Sequence, residues 1–351
     1  MKTLKVFGIN LLVLAALLLC CELTFRLVYP DYRYYEQTYA AKFEAACQIH
    51  PVDTNWVKVD TALGWVCRQR EQLRFYLPAF HHIAYGINAE GFRHPSDFAD
   101  LPPKGGRRRV LLLGDSFLFG LFLPDSLTIS QQLQRRLGEG VEVLNIAVPA
   151  WGLDQMYLAY QQYREQLDVD QVIILYIDDD ISRLVEAFYW GVACKPAFKV
   201  EAGRLKPRSP TDGALGFLGR STLFQSQLIN HCYHQYCERQ AIPIAEALFD
   251  SLMQTEQKLG RELMVLRCPR IQQIPDASST TPFDHDAFFA TKKMTYYNLQ
   301  NNIAALPAAQ QQQLYVPQDG HLSAEGALFI AQLTAQQIYR PTQPSTAQLP
   351  Y

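Results

Sequence analysis

The sequence predicts an α/β protein: a three-layer, doubly wound sandwich around a mostly parallel sheet, preceded by an N-terminal transmembrane helix. Three features carry that expectation. From residue 107 onward, short apolar runs of strand length alternate with segments of helical period, the pattern of a sheet covered by helices on both faces. The first of these runs, Val-Leu-Leu-Leu at 110–113, ends in Gly114-Asp115-Ser116, a small-residue turn that can lift a side chain off a sheet end into a crevice. Near the N-terminus, an apolar run reaches bilayer length.

The totals set the outer limits. With 351 residues, 48% of them hydrophobic, the chain can build one large α/β domain with additions or two modest domains. A net charge of -2 lacks the basic surplus that nucleic acid requires, so no nucleic-acid partner is expected. The eight cysteines show none of the paired short spacings of a structural zinc site. Cys20 and Cys21 fall in the apolar run. Cys47, Cys67, Cys194, Cys232, Cys237 and Cys268 remain, an even set that suits either disulfides in an oxidising compartment or buried free thiols.

In chain order, Lys2 and Lys5 precede an apolar run over 6–21 that continues to 28, interrupted by Glu22 and Arg26. No small-residue cleavage site lies between 18 and 24, and Leu19 before Cys20 does not suit a lipoprotein. An uncleaved anchor over 6–28 is the first reading, a cleaved signal the second and a buried soluble helix the third. With the lysines inside, the bulk of the chain lies outside the cytoplasm.

Residues 29–99 are rich in tyrosine, phenylalanine and histidine, and the pieces at 63–65 and 85–93 read as short extended segments between turns. That suggests a small antiparallel cap or edge, or else a membrane-proximal spacer. Two prolines and two glycines at 100–106 mark a linker. Strands follow at 110–113, 141–146, 172–177, 262–267 and 314–316. Helices follow at 127–137, 153–165, 244–258 and 323–337, the last capped by Ser323. A proline- and glycine-rich stretch at 184–228 breaks the rhythm and reads as an insertion over the sheet ends, and 341–351 reads as a loose tail. The expected division is therefore an anchor (1–29), a membrane-proximal cap or linker (30–106), an α/β domain (107–340) and the tail.

A serine hydroxyl is a weak nucleophile unless a base stands within hydrogen-bond reach and donors stabilise the oxyanion that follows. For Ser116, the base candidate is His321 in Gln-Asp-Gly-His-Leu-Ser at 318–323, with Asp319 two residues before it to hold the imidazole tautomer. Alone, an Asp-Gly-His turn before a helix reads as a cap and turn; paired with Gly-Asp-Ser it reads as catalytic. Candidate oxyanion donors are the Ser116 backbone N–H, the loop at 145–152 ending in Gly152, and the end of the next strand, where the chain reads Asp178-Asp179-Asp180.

These blocks together resemble the SGNH/GDSL hydrolase family. Gly114-Asp115-Ser116 stands as the nucleophile block, 145–152 as the glycine block, the end of the following strand as the asparagine block and 319–321 as the base block, over about residues 107–339. The resemblance implies a flavodoxin-like SGNH hydrolase fold, with Ser116 as nucleophile, Gly152 as backbone oxyanion donor, His321 as base and Asp319 as orienter. It implies no cofactor and no metal. Two positions depart from the family pattern: Asp179 stands where an asparagine donor is expected, and the acid is two residues before the histidine instead of three. An ionised Asp179 would repel an oxyanion, so it serves only if it keeps a proton.

The anchor and the Asn-x-x-Gly-Phe-Arg piece at 88–93 also look like membrane-tethered bacterial members associated with surface polysaccharides. The implied protein is a single-pass inner-membrane, periplasm-facing esterase, deacetylase or O-acyltransferase acting on O-acyl groups of a glycan. The alternative is a catalytically impaired glycan-binding or polysaccharide-assembly component. A cation site at Asp178 and Asp180, which share a side if the strand continues, is a minor reading. So is a zinc site among His81, His82, His231 and His234 with Cys232 and Cys237. Protein partners are not indicated.

Overall fold

The computed structural model describes residues 2–28, 57–60, 62–68, 73–77, 81–185, 196–208, 227–274, 283–292, 294–317 and 319–338. Helix α1 (Lys2–Val28) contains the apolar stretch Val6–Thr24, with a mean hydropathy of 2.4 and its side chains outside any protein core. It is long and apolar enough to cross a membrane, properties that an anchor and a signal sequence share. The region that follows contributes two antiparallel pairs, β1 (Val57–Asp60) with β2 (Gly64–Cys67) and β3 (Leu73–Leu77) with β4 (His81–Tyr85).

The turn after β4 explains the Asn-x-x-Gly-Phe-Arg piece. Asn88 Oδ1 accepts the Phe92 N–H at 2.8 Å, and its carbonyl accepts the Gly91 N–H at 3.0 Å. Gly91 has φ +91°, and a Cβ there would stand 2.6 Å from the Cys67 carbonyl oxygen, so only glycine fits. Phe92 is then buried against Phe98, Trp151 and Tyr163.

The α/β unit follows: β5 (Arg108–Gly114), α2 (Ser116–Phe119), α3 (Ile129–Leu137), β6 (Val141–Ala147), α4 (Leu153–Tyr163), β7 (Gln171–Tyr176) and α5 (Asp178–Ser182). The antiparallel pair β8 (Ala197–Glu201) and β9 (Arg204–Arg208) comes from the insertion. Then come α6 (Gln227–Leu259), β10 (Glu262–Arg267), α7 (His285–Ala290), β11 (Thr295–Asn298), α8 (Leu299–Ala304), α9 (Ala308–Gln313) and α10 (Ala324–Ile338). The central sheet runs β11-β10-β7-β5-β6 with every pairing parallel. Counted from β5, that is the flavodoxin-like order 2-1-3-4-5, whose ligand crevice lies beyond the carboxyl ends of its first and third strands. Those strands are β5 and β7.

The inner strands are buried on both faces, which is why they read as unbroken apolar runs. The expected strand at 314–316 is not in the sheet. Tyr315 makes an isolated antiparallel bridge to Leu322, the Val316 N–H reaches the His321 carbonyl at 2.7 Å and the Ser323 N–H reaches that of Leu314 at 2.9 Å. These pairings turn the Asp319–His321 loop back on itself. The fifth strand is instead β11, Thr-Tyr-Tyr-Asn, half-buried at the sheet edge and so without an apolar run.

The structure bears on three further expectations. Asp178, Asp179 and Asp180 begin a helix and not a strand, so they do not alternate. Asp178 meets Arg267 and His285 while Asp180 meets Arg183, and no group of three or more ligand-type side chains that could hold a metal occurs among the described residues. Cys67 and Cys268 are buried free thiols, pushed up in pKa by burial, and are not bridged. Helix α6 extends well ahead of the expected 244–258 and carries Pro243 inside it. The side chains of the His81, His82, His231, His234, Cys232 and Cys237 zinc reading, together with Cys47, Cys194 and the tail at 341–351, lie outside the described residues.

Candidate active site

Strand β5 delivers Ser116 to the switch point. A Cβ at Gly114 would stand 2.6 Å from the Leu118 Cβ and 2.9 Å from the Leu175 carbonyl oxygen, so the chain turns from β5 into α2 only without a side chain there. Asp115 caps the short helix, its Oδ1 accepting the Phe117 N–H at 2.9 Å. Ser116 takes the first helical position, where its N–H has no preceding helical carbonyl to meet.

The loop before α10 brings the other members. His321 Nε2 lies 2.8 Å from Ser116 Oγ, while its Nδ1 makes a very short contact with Asp319 Oδ1. The same Asp319 oxygen accepts the His321 backbone N–H at 3.0 Å, so one carboxylate fixes both ring and backbone. A proton on Nδ1 facing the carboxylate leaves the Nε2 lone pair for the Ser116 O–H. Asp115 Oδ2 also stands 3.3 Å from Ser116 Oγ, but the hydroxyl has one proton, and the 2.8 Å contact with His321 is the stronger claim on it. Burial pushes the Asp319 carboxyl up; hydrogen bonds and charge from His321, with the Arg270 guanidinium, outweigh it and hold the group below the usual carboxylate range. Asp319 therefore stays ionised opposite the imidazole.

The His321 ring is walled by Phe117, with centroids 5.0 Å apart, and by Phe122 at 5.6 Å in an edge arrangement. Neither aromatic was identified from sequence, although Phe117 directly follows Ser116.

Of the expected oxyanion donors, the structure places Gly152 just ahead of α4, where its N–H meets Gln155 Oε1 at 3.2 Å. Asp179, a third exposed, pairs with Arg270 through Oδ2. A carboxylate held by a guanidinium accepts hydrogen bonds and donates none. Arg270, which sequence reasoning missed, thus stands beside both Asp179 and the base loop.

Beneath the site, Arg183 Nη1 donates to the Trp151 carbonyl at 2.9 Å, to Asp115 Oδ2 at 3.3 Å and to Asp180 Oδ1. One guanidinium so ties the nucleophile turn, the glycine loop and α5. Burial, then the charge of Asp115, raises Asp180 well above the ordinary carboxylate range, with Arg183 pulling it back. Asp178 behaves oppositely: burial pushes it up, but the hydrogen bonds of Arg267 and the contact with His285 hold it well below that range.

No protein-family model matches the chain, and no curated protein matches it. Several solved structures bear a remote likeness to it. A lipase/acylhydrolase from Enterococcus faecalis is 13% identical, covers 68% of this chain and 100% of its own, and gives a TM-score of 0.38. Est24, a carbohydrate acetylesterase from Sinorhizobium meliloti, is 14% identical over 66% of this chain and 99% of its own, with a TM-score of 0.37. A member of the lipolytic protein G-D-S-L family from Veillonella parvula is 10% identical over 66% of this chain and 98% of its own, with a TM-score of 0.40. Likenesses this remote do not say what the site acts on.

Proposed function

We propose that the chain is a membrane-anchored serine ester hydrolase or O-acyltransferase, working through a Ser116 acyl-enzyme. The observation that carries the reading is the unbroken line from Ser116 Oγ to His321 Nε2, and from His321 Nδ1 to Asp319, at the crevice of a doubly wound sheet. Ser116 Oγ attacks the ester carbonyl as its proton passes to Nε2, which forms an imidazolium opposite the ionised Asp319. The oxyanion settles against the Ser116 N–H and against the Gly152 N–H, which exchanges Gln155 for it. His321 then returns the proton to the departing alkoxide. Water or a sugar hydroxyl attacks the acyl group, with His321 again as base, and Ser116 is released.

The substrate we assign is an O-acyl group on a cell-surface glycan, met on the periplasmic side of a bacterial inner membrane. The support is the positive flank at Lys2 and Lys5 before an apolar helix of spanning length, and the family resemblance. Hydrolysis of an aryl acetate by the full chain in detergent, with Ser116→Ala as the control, tests the reading. Activity and phosphonate labelling of Ser116 are expected in the wild type and not in the variant; equal activity in both sinks it.

A second reading, a glycan-binding or assembly component with a disabled hole, has one observation in its favour. The Gly152 N–H and the Asp179 carboxylate are both engaged with protein partners.

A further inference from the structure

We infer that the pieces at 63–67 and 85–93 are the second half of the active-site scaffold, and that Tyr85 and Arg93 are positioning residues for His321; this rests on the serine-esterase reading above. The starting point is Phe122, whose ring forms one wall of the His321 imidazole. Its φ is +68°, a left-handed value that is an outlier for a bulky aromatic residue. Such a conformation persists only where the surroundings over-determine it.

The surroundings that do so come from the N-terminal segment. The Phe122 N–H donates to the Tyr85 hydroxyl at 2.8 Å. Arg93 Nη1 donates to the carbonyls of Phe119 at 2.9 Å and Gly120 at 2.6 Å, Nη2 donates to that of Leu123, and Nε pairs with Asp125 at 2.7 Å. The guanidinium also lies over the Tyr85 ring, 4.2 Å from its centroid. A planar fork with fixed donors thus grips the loop on both sides of Phe122, and a phenol takes its N–H. Arg93 is 4% exposed and Tyr85 1%, so water does not compete for these bonds.

The piece at 63–67 grips the glycine loop. The Trp65 indole N–H donates to the Pro149 carbonyl at 3.1 Å, and the Trp151 indole N–H donates back to the Trp65 carbonyl at 2.9 Å. Gln155 Nε2 donates to the Leu63 carbonyl at 2.8 Å, and its Oε1 holds the Gly152 N–H. The loop behind the base and the loop bearing the glycine donor are therefore set by two pieces of chain, 85–93 and 63–67, that supply no member of the triad.

Tyr85→Phe removes a single oxygen and is the least disruptive test; Arg93→Lys, which keeps the charge but not the fork, is the second. In the full chain, each folded variant is expected to lose about tenfold in kcat on an aryl acetate, with KM within about twofold. The rate of phosphonate labelling of Ser116 falls by the same factor, because a small misplacement of the base slows proton transfer more than binding. The low-field NMR signal of the His321 Nδ1 proton is expected to shift or broaden in both variants, whether or not the protein turns over ester. Wild-type kcat, labelling rate and NMR signal in both folded variants overturn the inference and leave the esterase reading intact. A wild type that neither hydrolyses nor labels overturns the esterase reading instead, and the NMR comparison still decides whether Tyr85 and Arg93 position the base.

Discussion

Arg183→Met isolates the group that joins the nucleophile turn to the oxyanion side of the site. Arg183 is 6% exposed, and Asp115 and Asp180, which share its Nη1, are fully buried. Methionine fills similar space without charge. Removing one partner of a buried pair costs about 3–5 kcal/mol, because the remaining charge is left uncompensated. The orphaned Trp151 carbonyl adds to that, so a loss of about 4 kcal/mol or more is expected near neutral pH, a large share of the ~5–15 kcal/mol that holds a typical domain together. Urea unfolding followed by tryptophan fluorescence measures it.

The pH dependence has a definite sign. Asp180 already has a raised folded-state pKa, and loss of Arg183 raises it further. A group whose folded pKa lies above its unfolded value, about 3.9 for aspartate, contributes stability that is fully present below the unfolded pKa and lost as pH rises through the folded one. The deficit of Arg183→Met therefore shrinks as pH falls towards the ordinary carboxylate range, and Asp180→Asn in the same background recovers part of it at neutral pH. A loss below about 1 kcal/mol at neutral pH, or a deficit that grows on acidification, refutes the account of Arg183 as the shared counter-charge.

Two further substitutions bear on the chemistry. Asp319→Asn is expected to lower kcat by about 10⁴-fold with KM little changed, since an amide can donate to Nδ1 and so place the proton on Nε2, facing Ser116; steady-state ester hydrolysis reads it, and a loss under tenfold counts against the orienter role. Asp179→Asn replaces an ion-paired carboxylate with an amide donor and is expected to raise kcat, by up to about a hundredfold if the amide reaches the oxyanion. A loss of activity in that variant would show that the Asp179–Arg270 pair itself belongs to the working site.

The parts of this site that the sequence exposed are those whose cause is local. Strands β5, β7 and β10 are covered on both faces, so burial writes itself as consecutive apolar letters, whereas β11, half-covered at the edge, leaves Thr-Tyr-Tyr-Asn and no signal. Ser116 stood out because its turn follows a strand directly, and Asp319 with His321 because one carboxylate oxygen spans the single residue between them. The residues that hold these groups in place were hidden for the opposite reason. Arg93, Arg183 and Arg270 are cations, which sequence reading assigns to solvent, and what buries or engages each of them is chain that closes on it only in the fold. The Asn-x-x-Gly-Phe-Arg piece shows what can still be recovered: asparagine holds a turn whose positive-φ position only glycine fits, phenylalanine plugs it into the core, and arginine is left aimed at the loop beyond the nucleophile helix. A short motif with a turn-forming asparagine, an obligatory positive-φ glycine and a terminal arginine is thus a device for burying a cation, and the question it raises in a sequence is which carbonyls it will meet.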